Sequence, residues 1–157
     1  MEITTLSDLL KDGSVKEISR GISVEVCPSM IIEGEDRLSY TTIIRLVECS
    51  REHHWQTDVL QLAQNKQLDS ICKSLSADFK KPIFVGSRIQ ITYSITEVRR
   101  KSYRLSFHVN AEGTDYQHAV VDMLCVFYDP TTRKAASPPP PVMNHLTEIQ
   151  ENRGSHT

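Results

Sequence analysis

No glycine or proline interrupts the chain from Ser39 to Asn65, and within that stretch apolar residues recur at helical spacing. Tyr40, Ile43, Ile44 and Val47, then Trp55, Val59 and Leu62, fall three or four residues apart, which sets them along one side of an α-helix. Ser39 stands where an N-cap is needed. At 1.5 Å per residue, about 26 residues reach roughly 40 Å, the width of a whole small domain. One long helix is therefore expected to run across the body of the fold. Arg51 and His54 sit close to the apolar stripe, so the helix is not cleanly two-faced.

Around that helix the pattern has a period of two. Ile22, Val24 and Val26 alternate with Ser23 and Glu25 as in a half-buried strand, which Pro28 ends. Four further strands are expected after the helix. Ile71, Lys73, Leu75, Ala77 and Phe79 give one, and Ile89, Ile91, Tyr93 and Ile95 give another after Gly86. Tyr103, Leu105, Phe107 and Val109 follow the polar turn Arg99–Ser102, and the last strand runs from Gln117 to Tyr128. Its centre, Ala119 to Phe127, is nearly all apolar, which predicts cover on both faces.

Strand, long helix and four-stranded meander make an α+β layout: an antiparallel five-stranded sheet wrapped around one long central helix. Its open edge strand would invite a second copy. Residues 1–20 are expected to form an N-terminal arm, with a short helix capped by Thr5 or Ser7 and ended by Gly13. Residues 21–132 form the domain, and 133–157 a polar tail whose prolines, Pro138 to Pro141, suit polyproline II or disorder.

Composition narrows the function. Among 157 residues, 18 are basic and 20 acidic, without the basic excess that a nucleic-acid protein uses against phosphates. No window approaches the roughly 18 apolar residues of a membrane helix. Met1 to Gly13 lacks the basic and apolar regions of a signal peptide, so a cytoplasmic location is expected. Cys27, Cys49, Cys72 and Cys125 are dispersed, with no CxxC pair. His53 and His54 are adjacent and diverge by about 100° on a helix, so no metal site and no cofactor are expected.

Three stretches carry a family resemblance. Tyr40 to Arg51 is a helix segment that ends in Glu48-x-x-Arg51, Phe79 to Ile89 is a strand–Pro82–Gly86–strand corner, and Val120 to Pro130 is a closing strand. In this order they resemble the hotdog-fold acyl-CoA thioesterases, specifically the 4-hydroxybenzoyl-CoA and Tol-Pal-associated branch, over roughly Ile22 to Pro141. The resemblance implies a hotdog fold, hydrolysis of an acyl-CoA or acyl-carrier-protein thioester, and a homodimer or homotetramer. It also implies a catalytic acid ahead of the helix at Glu33, with the oxyanion-binding amide at Tyr40. The chain departs from the family in having Glu rather than Asp at 33 and Asp36 where a glycine is usual. Those departures allow Glu35 or Asp36 as the working carboxylate, or lost catalysis, and Glu48 stands second because some hotdog thioesterases place their acid on this helix. The alternatives are a non-catalytic acyl-thioester-binding hotdog module and an acyl-transfer or hydrolysis enzyme for a carrier-bound polyketide.

The chemistry fits these residue types. Thioester hydrolysis needs a carboxylate to activate water or attack the carbonyl, and a donor for the oxyanion, which a helix N-terminus supplies. The plain structural alternative is that Glu33, Glu35 and Asp36 only complement the helix dipole, worth about 0.3–1 kcal/mol. Glu48 likewise could simply pair with Arg51 for a few tenths of a kcal/mol. Arg99, Arg100, Lys101 and Arg104 crowd one hairpin, either as a solvated turn or as a clamp for coenzyme A phosphates. Lys80, Lys81 and Arg88 are further candidates, and Tyr40, Ile44 or Val47 could line an acyl slot.

Overall fold

The computed structural model describes residues 14–63 and 67–153. The short helix expected before Gly13 lies outside the described residues. The elements are β1 (Val15–Ile18), β2 (Gly21–Glu25), α1 (Tyr40–His54), β3 (Asp69–Phe79), β4 (Arg88–Val98), β5 (Ser102–Ala111), β6 (Gln117–Asp129), β7 (Lys134–Ala135) and α2 (Pro140–Arg153). The sheet runs β1-β2-β4-β5-β6-β3, with β7 added against β6. The hairpin β4–β5 is closed by Arg99 N–H donating to the Ser102 carbonyl at 2.8 Å, and β5–β6 by Ala111 N–H donating to the Tyr116 carbonyl at 2.9 Å.

The described residues fall into two compact units. The first holds residues up to His53, Ala77–Tyr93 and Phe107–Val121. Here β2 pairs antiparallel with β4, Ile22 opposite Ile91 and Val24 opposite Ile89, all four fully buried. Gly21 is required at the start of β2, since a Cβ there would stand 2.0 Å from the Ile91 carbonyl oxygen. Helix α1 begins where the sequence predicts, with Thr42 N–H donating to Ser39 Oγ at 3.2 Å. It buries Ile43, Leu46 and Val47.

The second unit holds His54–Ser76, Ser94–Ser106 and the chain from Asp122. The expected long helix changes form here: a π-helical turn, Trp55–Val59, and a 3₁₀ turn, Leu60–Ala63, continue α1. Trp55 and Tyr103 both pack on Phe127, at ring separations of 6.3 and 5.0 Å. The tail is neither polyproline II nor disordered between Pro140 and Arg153. It is helix α2, and Val142, Leu146 and Ile149, spaced three and four apart, are buried. Pro140 and Pro141 occupy the first turn, where a missing N–H costs nothing.

Three other expectations change. Among the described residues seven strands form rather than five, because Val15–Ile18 pairs with β2 and Lys134–Ala135 with β6. The expected four-stranded meander is cut to β4–β5–β6, since β3 pairs with β6 and not β4. In β6 the odd-numbered positions Val121, Met123, Cys125 and Phe127 are buried, while Val120, Leu124 and Val126 are only half-buried, so one face is fully covered. Strand β3 alternates in sequence, yet Ile71, Leu75 and Phe79 are all exposed at the sheet edge.

Candidate functional site

The acidic segment of the first unit is built from two turns. Glu35 N–H donates to the Ile32 carbonyl at 2.9 Å, with Gly34 at φ 88° as the third residue, so Glu33 sits at the tip of the turn. The chain then runs beside the Pro82–Gly86 corner, where Val85 N–H donates to the Asp36 carbonyl and Leu38 N–H to the Ile83 carbonyl. Gly86, also at φ 88°, allows the corner to turn. A groove of about 270 Å³ opens here, lined by Pro28, Ile31, Ile32, Glu33, Glu35 and Val85. Among the described residues Glu33, Glu35 and Asp36 form no ion pair. Asp36 carries its backbone, not its carboxylate, to the corner.

Tyr40 is the first residue of α1, so its N–H has no acceptor within the helix. Its side chain is 65% exposed and tilts against Phe79 with ring centroids 6.0 Å apart. Ile44, four residues after Tyr40, is half-buried, whereas Val47 has no exposed surface and belongs to the core, not to an acyl slot.

Glu48 is engaged. Arg51 Nε donates to both of its carboxylate oxygens, at 3.1 and 3.0 Å, and the Arg51 terminal nitrogen also contacts Oε1. The Arg51 side chain is only 13% exposed and that of Glu48 44%. Both carboxylate oxygens of Glu48 are thus taken up as acceptors by one guanidinium, which fixes the carboxylate against Arg51. Next to it, burial pushes the Cys49 thiol up to about 11, with Glu52 and Glu48 adding to the effect and Arg45 opposing it.

The basic hairpin lies in the second unit. Arg99 and Arg104 both hold Glu97, the latter through Nε at 3.0 Å from Oε2. These pairs keep the Glu97 carboxyl below its ordinary range, the hydrogen bond from Arg99 contributing most. All three line a cavity of about 190 Å³ with Lys73, Tyr103, Leu124 and Val126. Arg100 instead donates to Ser137 Oγ at 3.3 Å, and neither it nor Lys101 lines the cavity. Lys73 was not among the sequence candidates, since only the pairing of β3 with β6 brings it to the hairpin. Lys80 donates to Gln117 Oε1 at 2.6 Å and Arg88 pairs with Glu25 at 3.6 Å, both in the first unit. Lys81 is exposed next to them in sequence.

Comparison with known proteins agrees with this architecture. A family model described as the thioesterase-like superfamily matches residues 38–146, more than half of the chain. The crystal structure of YbaW, a probable thioesterase of Escherichia coli, superposes with a TM-score of 0.72 at 15% identity, covering 83% of this chain and 98% of YbaW. Slr0204, a 1,4-dihydroxy-2-naphthoyl-CoA thioesterase from Synechocystis, gives 0.67 at 14% identity, covering 81% and 94%. The hypothetical protein SAV2348 from Staphylococcus aureus, solved in complex with CoA, gives 0.74 at 10% identity, covering 87% and 89%. No curated protein sequence matches the chain. The fold is thus the expected hotdog fold, with seven strands among the described residues.

Proposed function

Because the chain belongs to the thioesterase-like superfamily, we propose that it hydrolyses an acyl thioester, acyl-CoA or acyl-carrier protein, to the free acid and thiol. We place it in the 4-hydroxybenzoyl-CoA branch on its Glu48-x-x-Arg51 helix element. The observation that carries the reading is Glu33. It is a carboxylate without an ion pair among the described residues, at the tip of the Gly34 turn, lining a groove seven residues ahead of Tyr40 at the helix N-terminus.

In this mechanism the Glu33 carboxylate takes a proton from water as the water attacks the thioester carbonyl. The developing oxyanion accepts a hydrogen bond from the Tyr40 N–H, helped by the positive end of the α1 dipole. Collapse of the tetrahedral intermediate breaks the C–S bond, and the proton held by Glu33 goes to the departing thiolate. The exposed Tyr40–Phe79 pair offers an aromatic surface for the acyl group. Arg99, Arg104 and Lys73 offer three cations to the coenzyme A phosphates. We assign Glu48 the positioning of Arg51 rather than proton transfer.

The exposed edge strand β3 favours a homodimer formed through Ile71, Leu75 and Phe79, with a dimer of dimers as the larger form. None of the four cysteines forms a disulfide among the described residues, which suits a reducing, cytoplasmic setting. Thiol release from a panel of acyl-CoAs tests the proposal. Glu33→Gln is expected to lower kcat at least about 100-fold, while Glu48→Gln keeps most of it. If Glu48→Gln abolishes turnover and Glu33→Gln does not, the assignment of the acid is wrong. If the wild type binds CoA but releases no thiol from any thioester, the protein is a binding module.

A further inference from the structure

Two imidazoles from distant parts of the sequence meet edge to edge in the second unit. His54, the last residue of α1, is 2% exposed, and its Nε2 lies 3.2 Å from Nε2 of His145 on α2. The rings are nearly parallel, 26° apart, with centroids separated by 5.5 Å. Asp58 lies one turn beyond His54, and one ligand atom from each of His54, Asp58 and His145 falls within 4.8 Å of the others. We infer that these three residues form a binding site for a divalent transition-metal ion of the zinc class, which ties α2 to the π-helical turn.

The geometry supports this in three ways. Zinc–imidazole bonds are about 2.0–2.1 Å, so two nitrogens on one tetrahedral ion stand roughly 3.3 Å apart. The observed 3.2 Å is close to that separation, although with ring centroids 5.5 Å apart the two Nε2 atoms point at each other, so both rings tilt to aim at one ion. Two imidazoles and one carboxylate form a donor set for zinc and neighbouring metals, not for calcium or magnesium. Asp58 is exposed, so its side chain can rotate to close the remaining gap, and water completes the shell.

The third support is the backbone. Asp58 belongs to the π-helical turn Trp55–Val59, where Leu60 N–H bonds to the Trp55 carbonyl. Such turns are rare and are frequent at functional sites. Here the wider turn sets the offset between His54 and Asp58. His53 takes no part, since its Nε2 faces Glu17 at 3.5 Å. The adjacent pair indeed diverges, and the second imidazole comes from α2 instead.

A hydrogen bond shared between two neutral rings would give the same nitrogen separation, so the experiment has to separate the two. Full-length, tag-free protein stripped with chelator is titrated with Zn²⁺ against a chromophoric chelator. One ion per chain is expected, with affinity at least tenfold weaker in Asp58→Asn and in His145→Gln and unchanged in His53→Ala. Co²⁺ is expected to give the visible bands of a low-symmetry, four-coordinate site, lost in His145→Gln. Zn²⁺ should also raise the melting temperature of the wild type and not of Asp58→Asn, whose exposed substitution leaves the fold intact. Equal binding by wild type, Asp58→Asn and His145→Gln, or no binding by the wild type, would overturn the site and leave a hydrogen-bonded histidine pair.

Discussion

The Val85 N–H lies 3.1 Å from the carbonyl oxygen of Asp36 and donates to it. With the Leu38-to-Ile83 bond at 2.9 Å, it fastens the acidic segment to the Pro82–Gly86 corner. The place of the proposed catalytic carboxylate therefore depends on two turns, each of which needs a glycine at φ 88°.

Gly34→Val tests that dependence. Nothing lies within 4 Å of a Cβ built at Gly34, so the substitution introduces backbone strain and no clash. A β-branched side chain in the left-handed region costs about 1–2 kcal/mol. Urea denaturation is expected to show a loss of that size. Thiol release should fall about tenfold or more, because Glu33 is displaced. A variant with unchanged kcat would detach the turn from catalysis.

The cavity at the basic hairpin predicts a split between substrates. Arg104→Ala and Lys73→Ala should raise KM for acyl-CoA roughly tenfold, with little change for a thioester that lacks the nucleotide. Glu97 occupies the same guanidinium groups that a phosphate would take. Glu97→Gln is thus expected to tighten CoA binding several-fold, as read by calorimetry. Equal effects on both thioesters would place the phosphates elsewhere.

Alkaline stability should report Cys49. Its folded-state pKa is raised to about 11 from 9.0, so the folded protein holds this proton more tightly than the unfolded chain does. The associated stability is complete below about pH 9 and lost on the way to pH 11, on the order of 2 kcal/mol. Urea midpoints at pH 8.5 and 10.5 should differ more for the wild type than for Cys49→Ala. A maleimide at neutral pH should label the exposed Cys72 and spare the buried Cys49 and Cys125.

Helix α2 is expected to be part of the folded core. Leu146 has no exposed surface, and Leu146→Ala should cost about 2–5 kcal/mol. A loss under about 0.5 kcal/mol, typical of surface substitutions, would mean that the helix is a dispensable appendage.

Ile71→Lys with Leu75→Lys tests the proposed use of β3. Both side chains are exposed on an edge strand, so the monomer should tolerate the change. Sedimentation is expected to show a dimer for the wild type and a monomer for the double variant. A wild-type monomer, or a variant that remains dimeric, would assign the edge another role.

Much of the architecture could be read from residue patterns. Alternation located β4 and β5 to within a few residues, since Ile89, Ile91 and Ile95 are each fully buried on one face. Ser39 marked the start of α1 through its own cap. Leu46, which the apolar stripe missed, is as buried as Val47. Asp58 stands four residues after His54, but His145 is 91 residues from His54, and no periodicity links them.

What the sequence determined is therefore what local physics fixes: helix and strand period, cap, turn glycines and charge balance. These depend on neighbours within about a turn, and they pointed to the long helix, the β4–β5–β6 part of the meander and the acidic turn ahead of Tyr40. What only the tertiary structure decided are relations between residues far apart in the chain. It turned the polar, proline-led tail into a packed helix by supplying a surface for Val142, Leu146 and Ile149. It left β3 uncovered despite its alternation, added Lys73 to Arg99 and Arg104, and set His145 against His54. Such pairings depend on burial and chain closure over long separations, which composition and spacing do not encode.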